Sequence, residues 1–171
     1  MKIKYIAYMA SSIDGRIAQS NQSGIDWTSK EDSNFYQNSL KKVDAVIVGR
    51  NTYKLASRRN WKDAIVLTSK VSSPKVKGKT IFLNPKKSNL KKFLQNQNYR
   101  KIAIIGGSRV YDFCLRNKMM DELYVTIEPY VFTAGILMFS GNEFKKNKFS
   151  LQSIKRLNKK STVLLKYINR N

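Results

Sequence analysis

Eight apolar runs, rich in Ile, Val and Tyr and separated by stretches of helical periodicity, set the first constraint on this chain. They lie at about 2–10, 43–49, 64–69, 79–83, 101–106, 121–129, 148–156 and 161–168, and helical patterns fit at about 29–42, 51–57, 88–97 and 108–117. Strands that alternate with helices point to an α/β fold with a mostly parallel central sheet flanked by helices. The last two runs, joined around "RLNKKS", break the alternation and read as a C-terminal antiparallel hairpin. The Lys-rich segment 70–79 reads as a solvated loop. The first helix opens on a capping-box pattern, Thr28-Ser29-Lys30-Glu31, and turns Phe35, Leu40 and Val43 inward; Ser88 is a candidate cap for the third. With 171 residues, 42% of them hydrophobic, the chain can bury one substantial core and is short for two, so a single domain over 1–171 is expected.

The formal net charge of +22, from 33 basic against 11 acidic residues, raises nucleic acid as a partner. The lysines nevertheless come in scattered pairs such as Lys41-Lys42, Lys91-Lys92 and Lys159-Lys160, without a basic stripe interleaved with aromatics. A salt-sensitive attraction to polyanions is expected, and no specific nucleic-acid site. No stretch approaches the roughly 20 apolar residues of a bilayer span, and "MKIKYIAYMASS" enters a patterned strand without a cleavage site. The expectation is a cytoplasmic protein with no membrane partner. A lone cysteine, Cys114, excludes an internal disulfide and falls on the apolar side of a helix beside Tyr111 and Leu115. Histidine is absent, which removes Ser-His and Cys-His nucleophile pairs and the ordinary zinc or non-haem iron sites. No metal is expected, and acid-base chemistry falls to carboxylates, lysines, tyrosines or the ligand.

Two strand-to-helix turns carry glycine. In "DAVIVGRNTY" an apolar strand runs through Gly49 into a short helix with Arg50, Asn51 and Thr52. Such a junction offers free backbone N–H groups at the positive end of a helix, with Arg50 and Thr52 as further donors. A plain tight turn would account for Gly49 but not for the Arg-x-Thr after it. "KIAIIGGSRVYDF" repeats the arrangement with Gly106-Gly107 before a helix beginning near Ser108. This is not the G-x-G-x-x-G fingerprint of an ordinary Rossmann domain. Two such turns at the carboxyl ends of parallel strands would converge on one crevice, which points to a ligand with several phosphates, such as a dinucleotide.

A third stretch, "GIDWTSKEDSNFY", places Asp32 in the first turn of a helix, five residues after Trp27. An acid there can serve the helix dipole alone, or it can be the proton-handling group of a site.

Taken together, "VIVGRNTY", "IIGGSRVY" and "ELYVT", in that order and at those separations, resemble the dihydrofolate reductase superfamily from residue 2 to about 140. The resemblance implies a dihydrofolate reductase-like fold and an NADPH-dependent reductase acting on a small heterocyclic substrate; it leaves a homodimer open. By matching positions, Gly49, Arg50, Asn51 and Thr52 would form the first cofactor turn, and Gly106, Gly107, Ser108, Arg109, Val110 and Tyr111 the second. Thr68 and Ser69 of "IVLTS" match the position that meets the adenosine ribose phosphate, where hydroxyls and Arg50 favour NADPH over NADH. Residues 11 to 27 look like the mobile loop that closes over the nicotinamide. Asp32 matches the folate-type carboxylate, supported by Thr126, with Trp27 and Tyr36 as substrate neighbours.

Within the superfamily, "SSIDGRIAQS" and "MMDELYVTIEPYVFTAGILMF" look more like the riboflavin-type branch. The folate-type arginine before the third strand has only Lys62, or Arg58 and Arg59, near its place. The segment "NTYKLASRRNW" also lacks the acidic, proline-containing stretch of the riboflavin type. The expected function is therefore reduction of a pyrimidine or pteridine, most like the 5-amino-6-(5-phosphoribosylamino)uracil reductase domain of riboflavin biosynthesis. Dihydrofolate reduction is the alternative within the class, and a basic nucleic-acid-associated protein the alternative outside it.

Overall fold

The computed structural model describes residues 2–56 and 61–170. In chain order the elements are β1 (Lys4–Ser11), β2 (Arg16–Ala18), α1 (Lys30–Leu40), β3 (Ala45–Gly49), α2 (Arg50–Leu55), β4 (Asp63–Leu67), β5 (Lys75–Lys77) and β6 (Thr80–Leu83). They continue with α3 (Leu90–Gln95), β7 (Lys101–Ile104), α4 (Ser108–Arg116), β8 (Glu122–Ile127), β9 (Ile136–Leu137), β10 (Phe149–Arg156) and β11 (Val163–Asn169). Among the described residues nine strands form one sheet in the order β10-β11-β8-β1-β7-β3-β4-β6-β5. The run from β8 to β6 is parallel; β5 at one edge and the β10-β11 hairpin at the other are antiparallel.

The expected fold class holds, and its physical reason is visible in the alternation of the central strands. Tyr5, Ala7, Met9, Ala45, Ile47, Ile102 and Ile104 pack on one face with Leu90, Leu94, Val110 and Cys114 of α3 and α4. Ile6, Tyr8, Val46, Val48, Ala103 and Ile105 pack on the other with Leu40 and Val43. A strand covered on both faces has no polar alternate, so it reads in sequence as an unbroken apolar run. Cys114 is fully buried, as expected.

All eight expected strands and four helices are present, with differences at their edges. Segment 70–79 is not wholly loop: β5 pairs antiparallel with β6 through a two-residue turn in which Gly78 takes φ +57°. Its lysines face solvent, which protects that sheet edge from pairing with another chain. The cap of α1 is Ser29, not Thr28, because the Thr28 hydroxyl donates to the Ile25 carbonyl (3.1 Å) while Ser29 Oγ accepts from the Asp32 N–H (3.2 Å). Asn89 rather than Ser88 caps α3, accepting from Lys92 N–H at 3.1 Å. The short strands β2 and β9 pair with each other and were not anticipated. Arg58, Arg59 and the expected end of the second helix lie outside the described residues. No helix among the described residues is long and apolar enough to cross a membrane.

Candidate active site

Strands β1 and β7 are neighbours, yet the chain leaves β1 toward α1 on one face of the sheet and leaves β7 toward α4 on the other. Diverging connections of this kind open a crevice at the carboxyl ends of the strands. The two glycine turns and Asp32 all lie at that end.

The turns meet directly. Gly49 N–H donates to the Gly106 carbonyl at 2.7 Å, extending the β3-β7 pairing by one bond. A Cβ on Gly49 would lie 3.2 Å from Val110 Cγ2, and one on Gly107 would lie 3.3 Å from Thr52 Oγ1. The Gly106-Gly107 peptide is cis. Gly106 takes φ +99°, with the Tyr111 ring where its Cβ would be, and the Tyr111 hydroxyl donates to the Tyr8 carbonyl at 2.6 Å. Ser108 opens α4 with a buried Oγ that has no hydrogen-bond partner.

Asp32 occupies the third position of α1 and is only 7% exposed. Burial raises its pKa above the ordinary carboxylate value; the Thr126 side chain, by hydrogen bonding, works against that rise, and the nearby charge of Glu128 adds to it. Tyr36, one turn along the helix, is pushed up first by burial and then by Asp32. Tyr111 is raised by burial, and by Tyr36 and Asp32 after it. The structure thus gathers Asp32, Thr126, Tyr36 and Tyr111 around the second glycine turn.

The other expected site residues are more dispersed. Gly49 pairs with Leu67, so the buried Thr68 comes level with Arg50. Ser69, Asn51 and Arg109 are exposed. Lys62 is exposed beside the segment that is not described. The Trp27 ring meets Phe132 edge-on at 4.9 Å, and its indole N–H is buried without a partner.

The model of the RibD C-terminal domain matches residues 4–163. The chain belongs to the RibD C-terminal domain family. This is a reductase-type family within the dihydrofolate reductase-like superfamily. The domain is 30% identical over 148 residues to the uncharacterized protein YwjB of Bacillus subtilis, covering 81% of this chain and 84% of that one. Among solved structures, a putative riboflavin biosynthesis protein from Shewanella sp. PV-4 matches with a TM-score of 0.80 at 20% identity, over 99% of this chain and all of that one. A pyrimidine reductase-like protein from Corynebacterium diphtheriae matches with 0.78 at 16% identity, over 99% and 92%. The deaminase/reductase from Thermotoga maritima matches with 0.72 at 19% identity; 98% of the RibD-type domain aligns with 57% of that longer chain.

Two carboxylates of this RibD-type domain were not foreseen as structural neighbours of the crevice. Asp14, in "SSIDG", accepts from the Ser12 hydroxyl (2.6 Å) and from the N–H groups of Phe132 and Thr133 (both 3.0 Å). These bonds, led by Ser12, hold its carboxyl down at about 2. Together with Arg16 donating to the Gly135 carbonyl (3.1 Å) they fasten residues 12–18, part of the expected closing loop, to residues 132–137. The second is Glu128, 2% exposed, accepting from Ser29 N–H and the Thr162 hydroxyl. The period-two spacing of Thr126 and Glu128 in "VTIEP" placed both on one side of the strand and was the available signal.

Proposed function

We propose that this chain, as one domain, is an NADPH-dependent reductase of a pyrimidine or pteridine substrate, most like a 5-amino-6-(5-phosphoribosylamino)uracil reductase. The observation that carries the reading is the buried Asp32, with Thr126 nearby, placed beside two glycine turns that touch each other. The cofactor's fit is tested by Ser108. A buried hydroxyl without a partner costs about 1–3 kcal/mol, and a phosphate oxygen at the start of α4 would relieve that cost. Gly49 and Gly107 keep the floor of the crevice free of side chains, Thr52 Oγ1 lies beside Gly107, and Arg109, exposed in the first turn of α4, is a further candidate donor. Arg50, Thr68 and Ser69 are the residues that would hold the additional phosphate of NADPH. When bound, NADPH supplies the hydride.

The chain's own part is to orient the heterocycle and to manage a proton. Hydride addition to a C=N carbon is eased when the nitrogen is protonated. Burial makes Asp32 a weaker acid than an exposed carboxyl, so it retains a proton closer to neutral pH, with the nearby Thr126 hydroxyl working against that rise. Tyr36 lies one turn along the same helix face, where burial and then the Asp32 charge keep its hydroxyl protonated.

The test is NADPH oxidation measured separately with the ribosylated diaminopyrimidine intermediate and with dihydrofolate. Turnover of the first substrate is expected, and turnover of dihydrofolate alone would assign the site to a pteridine. Asp32→Asn should lower turnover by roughly 10²–10⁴-fold, with the deficit easing at low pH, where solvent can protonate the substrate. No turnover of either substrate, or Asp32→Asn within about twofold of wild type, would refute the reading.

A further inference from the structure

Glu128 is a buried carboxylate that the proposed chemistry leaves without a task. Its Oε1 accepts from Ser29 N–H at 2.6 Å and its Oε2 from the Thr162 hydroxyl at 2.7 Å. Ser29 is the N-cap of α1, three residues before Asp32. Thr162, 1% exposed, begins the return into β11 and also receives the Asn158 side-chain amide at 3.0 Å. The same Asn158 amide reaches the Glu31 carboxylate at 3.1 Å. The first turn of α1 is thus tied twice to the turn between β10 and β11, once through Glu128 and once through Glu31.

Keeping an acid so deeply buried is costly unless its oxygens are satisfied. Here two neutral donors satisfy it, and a second acid stands nearby. Each of the two Glu128 oxygens accepts a bond, which a carboxylate can do and a glutamine amide, with one acceptor oxygen, cannot; the charge that comes with this tether stands close to a second acid. We propose that Glu128 is a positioning residue for Asp32, fastening the first turn of α1 to the C-terminal hairpin and setting a second negative charge against the Asp32 carboxylate. The proposal rests on the reading of Asp32 as the proton-handling group. The titratable groups that face Asp32 are Glu128 beyond β8, Tyr36 on α1 and Tyr111 on α4. Of these Glu128 is the one other carboxyl, so it is the group that can set a negative charge against Asp32.

The experiment follows the side-chain carboxyl carbons of the full chain by NMR as pH is varied, with the Asp32 signal assigned by its loss in Asp32→Asn. Glu128→Gln keeps the shape and one acceptor but removes the charge. The Asp32 midpoint should then fall by at least about half a pH unit, a roughly threefold change in proton affinity. An unmoved midpoint in a folded Glu128→Gln overturns the proposal. Thr162→Val keeps the charge and cuts one tether. In that variant the Ser29 amide should exchange with solvent several-fold faster than in wild type, while amides later in α1 do not change. Unchanged exchange at Ser29 overturns the tether even if Glu128→Gln fails to fold. If Asp32→Asn retains turnover while the Asp32 midpoint of the otherwise wild-type chain depends on Glu128, the assignment of Asp32 as the proton-handling group fails and the positioning by Glu128 stands.

Discussion

Replacing Gly106 by alanine would test whether the second turn is built by close packing on Tyr111. At φ +99° a residue with a Cβ costs about 1–3 kcal/mol. The added methyl would also sit 3.1 Å from Tyr111 Oη and 3.2 Å from Cε2 and Cζ, atoms of a ring only 4% exposed. That ring cannot swing away freely, because its hydroxyl is bonded to the Tyr8 carbonyl at 2.6 Å. Displacing it costs about 1–3 kcal/mol as overpacking. Alanine's smaller freedom in the unfolded chain returns about 0.4–1 kcal/mol. The net loss is about 2–5 kcal/mol. Gly107→Ala is the control: its φ of −76° suits any residue, and its methyl meets only Thr52 Oγ1, at the end of a rotatable side chain. That variant should stay within about 1 kcal/mol of wild type while losing affinity for NADPH, since the methyl projects into the proposed phosphate cradle. Urea denaturation followed by tryptophan fluorescence, with coenzyme titration alongside, reads both effects. Gly106→Ala within about 0.5 kcal/mol of wild type, or equal losses at the two positions, would refute the packing argument.

Calorimetry should find NADPH bound at least about tenfold more tightly than NADH, a difference of ~1.4 kcal/mol, and Arg50→Ala should erase the preference without abolishing binding; equal affinities in the wild type would remove Arg50, Thr68 and Ser69 from that role. Because the fold raises the Asp32 pKa above its usual 3.8, the stability associated with this group is complete below that pH and is lost as pH rises through the folded value. Asp32→Asn should therefore be more stable than wild type at neutral pH, by ~1.4 kcal/mol for each unit of the rise, and the advantage should fade in acid; a variant less stable at neutral pH contradicts the sign. Asp14 runs the other way: its contribution is present above the usual 3.8 and lost as pH falls through about 2. The Phe132 and Thr133 amide shifts should titrate together near that lower value, and a midpoint at the usual value would mean that the bonds to Asp14 do not hold in solution.

The strands and helices were legible because the parallel strands are covered on both faces, which leaves apolar runs such as "DAVIV" and "KIAII" that no exposed element produces. The short strands β2, β5 and β9 were not, because two or three residues carry no period; only the Gly78-Lys79 turn hinted at β5. Helix caps slipped by one residue for a local reason, since Thr28 and Ser29 are both competent and the choice rests on where Thr28's hydroxyl finds the Ile25 carbonyl. The convergence of Gly49 and Gly106 followed from strand-turn-helix logic. Glu128 was hidden in another way: its two partners lie 99 and 34 residues away, so no local pattern could show that they meet.

The sheet order also fixes when the protein can assemble. β1 leaves the ribosome well before its partners: Lys4 pairs with Lys101 and Ile6 with Glu122, so its two flanking strands appear roughly 100 residues later. At the usual 5–20 residues per second, this largely apolar strand waits roughly 5–20 s with both edges open. The first turn of α1 waits longer still, since Asn158, which bonds to Glu31, lies 127 residues beyond it. Such non-local pairing predicts slow folding and a nascent chain that depends on chaperone cover, and it makes loss of residues 162–170, which contain all of β11, a lesion of assembly.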